Sequence, residues 1–438
     1  MPPAAGLRRP EPEDEPVDRG NLLVLAVLSL VVGAAAGLIG AVFRVSLQRA
    51  DGLRDTLIAG AHGLGLVGLP IVSATCACAV GTAAWLVRRF SPYASGSGIP
   101  HVEAVLNEEL PQAPFWLIPV KFVGGLLAIS SGLALGREGP SVQMGASVAH
   151  LLGKIFRRNW FDCRALLAAG AGAGLATAFN APIAGAIFVL EELVRRFETR
   201  IAIAALGASA TAIAVARLFL GEAPDFHVEP MGFVDTETQS LFFVLGIVAG
   251  FAAVAYNQTL LRTIAAFDKL DRWPVELRAG LVGAAVGTLA WFTPEWVGGG
   301  EVITQRTLAG TGAMSVIASV FLLRFALGAA SYAAQTPGGL FAPMLVLGAQ
   351  LGLVFGDLCR LGLPSLEIRP EGFAVVGMAA FFTGVVRAPI TGIVLVIEMT
   401  ASFTMLLPML GACFTAMLVP TLLSNAPIYD SLRKRASS

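Results

Sequence analysis

The residues that concentrate most chemistry in least room are Gly136-Arg137-Glu138-Gly139-Pro140-Ser141, set between the apolar runs Leu126–Leu135 and Val142–Leu152. An ionisable carboxyl at membrane depth costs about 2.5–3.5 kcal/mol on insertion scales, which marks it as a functional candidate. The two glycines let the backbone bend and come close to a small ligand. Pro140 suits the first turn of a helix, where its missing N–H is not needed. The pattern predicts a helix ending near Leu135, a short non-helical crossing, and a second helix from about Gly139. Glu138 would then face the free N–H groups of a helix N-terminus, a natural anion site. The competing reading is a solvated loop between two spans, with Arg137 and Glu138 turned to water.

Two further Gly/Pro breaks share this character, Gly96-Ser97-Gly98-Ile99-Pro100 and Pro337-Gly338-Gly339-Leu340-Phe341-Ala342-Pro343. Each is expected to start a helix and to leave N–H groups pointing into a cavity. Ser97 adds a hydroxyl donor. Leu340 and Phe341 add backbone N–H groups, with their side chains sealing the site. Neutral donors aimed at one point hold a small dehydrated anion without clamping it, and conduction needs both entry and release. Any one of these glycine clusters alone reads as close helix packing. The three together point to a site.

The elements that must position these residues follow from composition. Of 438 residues, 55% are hydrophobic and 14% charged, and the mean hydropathy is +0.74. A soluble domain carries about 25% charged residues, so the chain reads as an integral membrane protein in a lipid bilayer. Its formal net charge of +0 suggests no nucleic-acid partner. The 49 glycines and 25 prolines are too many for simple long helices and suit broken ones, which are tolerated where they line a protein cavity. Apolar segments run from 21–46 through 200–220 and, after a polar break at 221–238, from 239–266 through 404–424. Several fall short of the roughly 20 residues a span needs, so they are half-helices or tilted pieces. A short amphipathic piece is expected at 99–110. Residues 1–20, rich in Pro, Glu and Arg, are expected to be disordered. Lys154, Arg157 and Arg158, with Arg433-Lys434-Arg435, favour the cytoplasmic side. The Cys76-Ala-Cys78 pair reads as buried inert thiols.

An internal repeat organises the whole. Asn180-Ala181-Pro182-Ile183-Ala184-Gly185, running on to Val189-Leu190-Glu191-Glu192, recurs 207 residues later as Arg387-Ala388-Pro389-Ile390-Thr391-Gly392, running on to Val396-Ile397-Glu398-Met399. Glu138-Gly139-Pro140-Ser141 is echoed 203 residues later by Phe341-Ala342-Pro343-Met344. This divides the chain into a tail (1–20), a first membrane repeat (21–225), a linker (226–238), a second membrane repeat (239–425) and a cytoplasmic C-terminal tail (426–438). In transporters, such halves place discontinuous helices around a site near the bilayer midplane. Whether the halves are parallel or inverted is left open by the repeat itself.

Gly96-Ser97-Gly98-Ile99-Pro100, Gly136-Arg137-Glu138-Gly139-Pro140 and Gly339-Leu340-Phe341-Ala342-Pro343 resemble, in order and spacing, the three signature motifs of the CLC family of chloride channels and chloride/proton antiporters. The similarity covers roughly residues 21–432. The resemblance implies an all-α polytopic membrane protein with two inverted-topology repeats, a homodimer with one pore per subunit, chloride and protons as substrates, and a cell inner-membrane location. It implies no cofactor. By the same resemblance Ser97, Leu340, Phe341 and Tyr429 bind chloride, Tyr429 closing the inner side. Glu138 is the gating glutamate, occupying the outer anion position when ionised and swinging out when protonated. Glu192 matches a second, inner glutamate that passes protons to the gating one in antiporters and that channel members commonly lack. Glu191 has a repeat mate in Glu398, which suggests a structural role, whereas Glu192 pairs with Met399. The competing reading places Glu191-Glu192 in a surface cluster with Arg195 and Arg196.

The expected function is therefore proton-coupled chloride antiport. The alternatives are a passive chloride channel of the same fold and an antiporter for fluoride or nitrate. Ser97 favours chloride by resemblance. His101 is expected to be a helix-start residue near an aqueous vestibule. The chain has no room after Ser438 for the nucleotide-binding domains that some family members carry, so no ATP regulation is expected. An intramembrane serine hydrolase using Ser95 with His101 or His150 needs the pair within hydrogen-bond reach. It would leave Glu138 and the repeat unexplained. No metal-ligand spacing and no phosphate-binding loop is evident, so the protein is not expected to be an enzyme.

Overall fold

The structure is a computed structural model that describes residues 21–437. The tail expected to be disordered, 1–20, lies outside them. Seventeen α-helices are present among the described residues. The first half holds α1 (Leu22–His62), α2 (Gly68–Phe90), α3 (Ile99–Leu106), α4 (Leu117–Ser130), α5 (Glu138–Ile155), α6 (Trp160–Phe179), α7 (Pro182–Phe188) and α8 (Thr199–Leu220). The second half holds α9 (Thr236–Asp268), α10 (Val275–Phe292), α11 (Glu301–Leu308), α12 (Met314–Ala333), α13 (Phe341–Gly362), α14 (Pro370–Val386), α15 (Pro389–Thr400) and α16 (Leu406–Leu422), and α17 (Ile428–Ser437) follows. Eight helices are long and apolar enough to cross a bilayer. The expected all-helical membrane fold is observed.

The halves correspond helix for helix. α5 packs on α6 as α13 packs on α14, and α1 on α8 as α9 on α16. Each α5–α6-type contact needs glycine. A β-carbon on Gly145 would run into the Gly170 carbonyl, and one on Gly348 into the Gly377 carbonyl. Small residues let such backbones approach without a hydrophobic drive between helices. At the centre, α7 ends in a π-helical turn, Val189–Leu193, whose Glu191 accepts hydrogen bonds from the Ile390 and Thr391 amides, 3.0 and 2.6 Å, at the start of α15. Glu398, at the end of α15, accepts from the Ile183 and Ala184 amides, 3.0 and 2.8 Å, at the start of α7. Each repeat-related helix caps the other's N-terminus, so the two run antiparallel. That is the inverted relation which the repeat alone left open. It also answers the surface-cluster reading for Glu191, whose carboxylate is engaged by α15.

These caps suit the positive end of each helix dipole. Glu191→Ala leaves two amides and the Thr391 hydroxyl without their acceptor, and should destabilise the fold by about 1–3 kcal/mol. Thermal unfolding in detergent reads this, and an unchanged midpoint would count against the reciprocal cap.

Several boundaries differ from expectation. α4 ends at Ser130, not near Leu135. The Ser130 and Ser131 hydroxyls turn back onto the Leu126 and Leu127 carbonyls, and Gly132 takes φ +99°. Leu133, Ala134 and Leu135 are buried but not helical, with the Leu135 amide turned back onto the Leu133 carbonyl at 2.7 Å, because an apolar run reports burial and not conformation. α1 runs to His62, beyond the apolar stretch, carrying Asp51 and Arg54 with it. α3 stops at Leu106, before the expected end at 110. α9 takes up the last three residues of the expected linker. Of the paired thiols, Cys76 is buried but Cys78 is exposed.

Candidate functional site

The three sequence breaks meet. The Gly96 amide donates to the Thr336 carbonyl at 3.0 Å and the Gly338 amide to the Gly96 carbonyl at 3.1 Å. Gly136 and Gly339 exchange both backbone hydrogen bonds, 2.9 and 2.7 Å. Short extended segments from both repeats are thus cross-strapped, and α3, α5 and α13 begin immediately after them. Broken chain is tolerated at membrane depth when its polar groups are satisfied within the protein.

Glu138, the first residue of α5, is fully buried. Its Oε1 accepts the Ala342 amide at 3.1 Å in the first turn of α13, and the Phe341 amide also acts on the carboxyl. The competing reading of a solvated loop is excluded by this burial. Leu340 sits at the N-cap of α13 and Phe341 opens it, both with no exposed surface. Phe341 packs among Phe179, Phe188, Phe382 and Tyr429, with ring centroids 4.7–6.2 Å away. Ser97 and Tyr429 are also fully buried, with their side chains close together. Neither Ser97 Oγ nor Tyr429 Oη completes a hydrogen bond within the protein. Two orphaned buried hydroxyls beside a helix N-terminus fit a small anion, because unpaired buried donors are costly. A β-carbon on Gly139 would come within 2.6 Å of Ser97 Oγ, which shows how tightly the crossing lies on Ser97.

Glu192 is 3% exposed and lies in the π-turn that ends α7. Such turns are rare and recur at functional positions. Its Oε1 lies 3.4 Å from Arg195 Nη2. Half of the surface-cluster reading therefore holds, since Arg195 is a partner, but the carboxyl is buried. Arg196 pairs elsewhere, with Glu198.

Sequence reasoning missed Lys121. It is fully buried on α4, and its Nζ donates to the Ala94 and Gly96 carbonyls at 3.1 and 2.7 Å, holding the turn that presents Ser97. Its repeat mate is Arg324 on α12, also buried, which donates to the Trp296 and Gly298 carbonyls at 3.3 and 2.7 Å. The held turn is itself repeated. Gly96 and Gly98 have φ +60° and +81°, and Gly298 and Gly300 have +76° and +92°. The signal was present as a lone cation within each apolar span, 203 residues apart, and as a fourth glycine break at Gly298-Gly299-Gly300. Because both cations clamp carbonyls of equivalent turns, Lys121 is a positioning residue for Ser97. Lys121→Met should release that turn and weaken chloride binding roughly tenfold, as loss of charged hydrogen bonds of about 1.5–3 kcal/mol implies. Calorimetric titration with chloride measures it, and wild-type affinity would refute the assignment.

A cavity of about 520 Å³ adjoins the crossing on its Gly136 and Ala342 side. Arg137 is tied there to Asp225 at 3.1 Å, to Glu301, and to the Ala178 carbonyl at 2.8 Å, while Arg44 meets Asp225 at 2.6 Å. Arg137 thereby anchors the backbone beside Glu138. His101 is the third residue of α3, the helix start expected of it. It is 8% exposed, against Tyr93 and Gln143. The Ser95 hydroxyl donates to the Gln335 carbonyl at 3.3 Å, and among the described residues no hydrogen bond joins it to His101 or His150. The hydrolase dyad is not formed.

Fold and site together define a multi-pass membrane protein whose inverted halves bring broken helices together around a buried carboxyl and two buried hydroxyls. A family profile described as "Voltage gated chloride channel" matches residues 76–421. The chain is 36% identical over 422 residues to the H(+)/Cl(-) exchange transporter ClcA of Salmonella arizonae, covering 94% of this chain and 89% of that protein. A solved slow cyanobacterial Cl-/H+ antiporter superposes with a TM-score of 0.90 at 32% identity, covering 94% of this chain and 98% of that one. A CLC-type fluoride/proton antiporter, at 24% identity and a TM-score of 0.77 over 93% and 97% of the two chains, shares the fold. The chain belongs to the voltage gated chloride channel family.

Proposed function

We propose that this protein exchanges chloride for protons across a membrane, with Glu138 as the gate. The observation that carries the reading is the Glu138 carboxyl seated on the first amides of α13, beside the orphaned hydroxyls of Ser97 and Tyr429. A carboxylate and a chloride compete for one helix N-terminus. Protonation removes the negative charge from Glu138, so it yields the amides to chloride, and deprotonation lets it displace the anion. Ser97, Leu340, Phe341 and Tyr429 hold the ion, Tyr429 closes one end, and Glu192 relays the proton. The presence of Glu192 favours antiport over a passive channel. In the same reading the chain works as a homodimer with one pore per subunit, sits in a cell inner membrane, and has its repeats at 21–225 and 239–425.

Reconstitution in liposomes tests this. An imposed chloride gradient should drive protons uphill, and chloride movement without protons would leave only the channel. Glu192→Gln should still pass chloride but no longer drive protons. Intact chloride-driven acidification in that variant would place the proton route elsewhere.

A further inference from the structure

A second group of charged side chains gathers beneath α17. The Arg195 guanidinium serves three carboxylates: Nη2 lies 3.2 Å from Glu103 Oε1, 3.4 Å from Glu192 Oε1 and 2.8 Å from Asp430 Oδ1. Its Nη1 also donates to Asp430 Oδ2 at 3.1 Å. The backbone makes this reach possible. Arg195 takes φ +55° just past the π-turn, and its Nε donates back to the Glu192 carbonyl at 3.1 Å. A non-glycine residue in that region is uncommon and costs energy, so the reversal is held by what the side chain binds. Arg433, on the next turn of α17, meets Glu109 at 2.7 Å and faces Glu103 at 3.7 Å. The cluster sets Glu103, Glu109, Glu192 and Asp430 against Arg195 and Arg433. α14, which also packs on α17, adds no charged side chain to it among the described residues, and Asp268 of α9 pairs with Arg435 farther along α17. Asp430 directly follows Tyr429, so whatever fixes Asp430 fixes the ring beside Ser97.

We propose that Arg195 and Asp430 form a charge-operated clasp that holds α17, and with it Tyr429, seated against α3 while a proton resides on Glu192. With Glu192 ionised, Arg195 is shared among three carboxylates. With Glu192 protonated, the attraction of the guanidinium falls on Asp430 and Glu103 alone, 2.8 and 3.2 Å from Nη2, and at these distances the change is felt although Arg195 is 38% exposed. The clasp tightens, Tyr429 stays shut, and chloride does not slip past during the proton's passage. Loss of the proton loosens α17 and lets chloride exchange at that end. The coupling role rests on the antiport reading above. The clasp itself does not, since it needs only Glu192 to change charge.

Two measurements on the intact protein test it. In liposomes, Asp430→Asn and Arg195→Gln should lower protons moved per chloride roughly threefold, in line with coupling energies of about 0.5–2 kcal/mol, while Arg195→Lys keeps most of the coupling. An unchanged ratio in both variants, in a preparation whose wild type is coupled, overturns the proposal. Hydrogen exchange of the α17 amides, corrected for intrinsic rate, should slow on acidification in the wild type and lose that response in Glu192→Gln and in Asp430→Asn. If the wild type moves chloride without protons, the antiport reading fails and hydrogen exchange decides the clasp. A response that depends on Glu192 upholds it, and one that survives in Glu192→Gln overturns it.

Discussion

Glu138→Gln should stop proton movement and leave chloride flux running. The carboxamide has nearly the size of the carboxyl it replaces, so the crossing on Gly136 and Gly339 keeps its packing. It has no negative charge with which to compete for the α13 amides, and no proton to load or release. The chemical half of the exchange is lost while the anion path persists. In the wild type, chloride flux should rise as pH falls, because acid neutralises the group that occupies the Ala342 amide. In Glu138→Gln, and equally in Glu138→Ala, that acid activation should flatten. A chloride electrode and an external pH electrode on one liposome suspension read both. Proton transport that persists in the glutamine variant would remove Glu138 from the mechanism.

Gly139→Ala should cut chloride transport about tenfold or more, whereas Gly136→Ala, three residues earlier, should spare it. Alanine is ordinarily the better helix residue by about 1 kcal/mol, so helix propensity argues the other way. Sterics decide. A β-carbon at Gly139 would stand 2.5 Å from the Ser97 carbonyl oxygen and 2.9 Å from the Ser97 Cα, backbone atoms strapped in place by the Lys121 clamp. Overpacking of this kind costs about 1–3 kcal/mol, enough for a roughly tenfold or greater loss once Ser97 moves off the ion. A β-carbon at Gly136 meets the Glu138 carboxyl, with Cδ at 2.5 Å, the far end of a flexible side chain. That group can rotate away, so Gly136→Ala should resemble a protein held with its gate displaced: chloride passes, and protons are poorly coupled. Adding Glu138→Ala should leave the chloride flux of Gly136→Ala unchanged and that of Gly139→Ala still impaired. Rescue of the latter would show that its obstruction was the carboxyl and not the Ser97 turn. Side-by-side chloride efflux from the four variants settles the comparison.

The membrane class, the repeat and the three breaks were legible in the chain because each leaves a linear trace: hydropathy, an offset of 203–207 residues, and Gly/Pro punctuation. The cost of a buried carboxyl likewise singled out Glu138 before any contact was known. Lys121 and Arg324 carried the same signal, a lone charge within an apolar span, but nothing local says which carbonyls they hold. Those carbonyls lie more than twenty residues away along the chain. The end of α4 was misplaced because non-helical chain and helix are equally apolar when both are buried.

What the tertiary structure alone decided was direction and company. Glu191 and Glu398 looked alike as repeat mates, yet only their reciprocal caps on α15 and α7 make the halves run oppositely. The repeat had already set Glu191, whose mate is Glu398, apart from Glu192, whose mate is Met399, but only the folded π-turn shows one carboxyl sent to a helix end and the other to Arg195. Hydrophobic pattern is a property of each residue and survives in one dimension. Which donor meets which acceptor depends on backbone angles summed over many residues, and at Gly96, Gly136 and Gly339 it depends on segments that touch only after both repeats have folded.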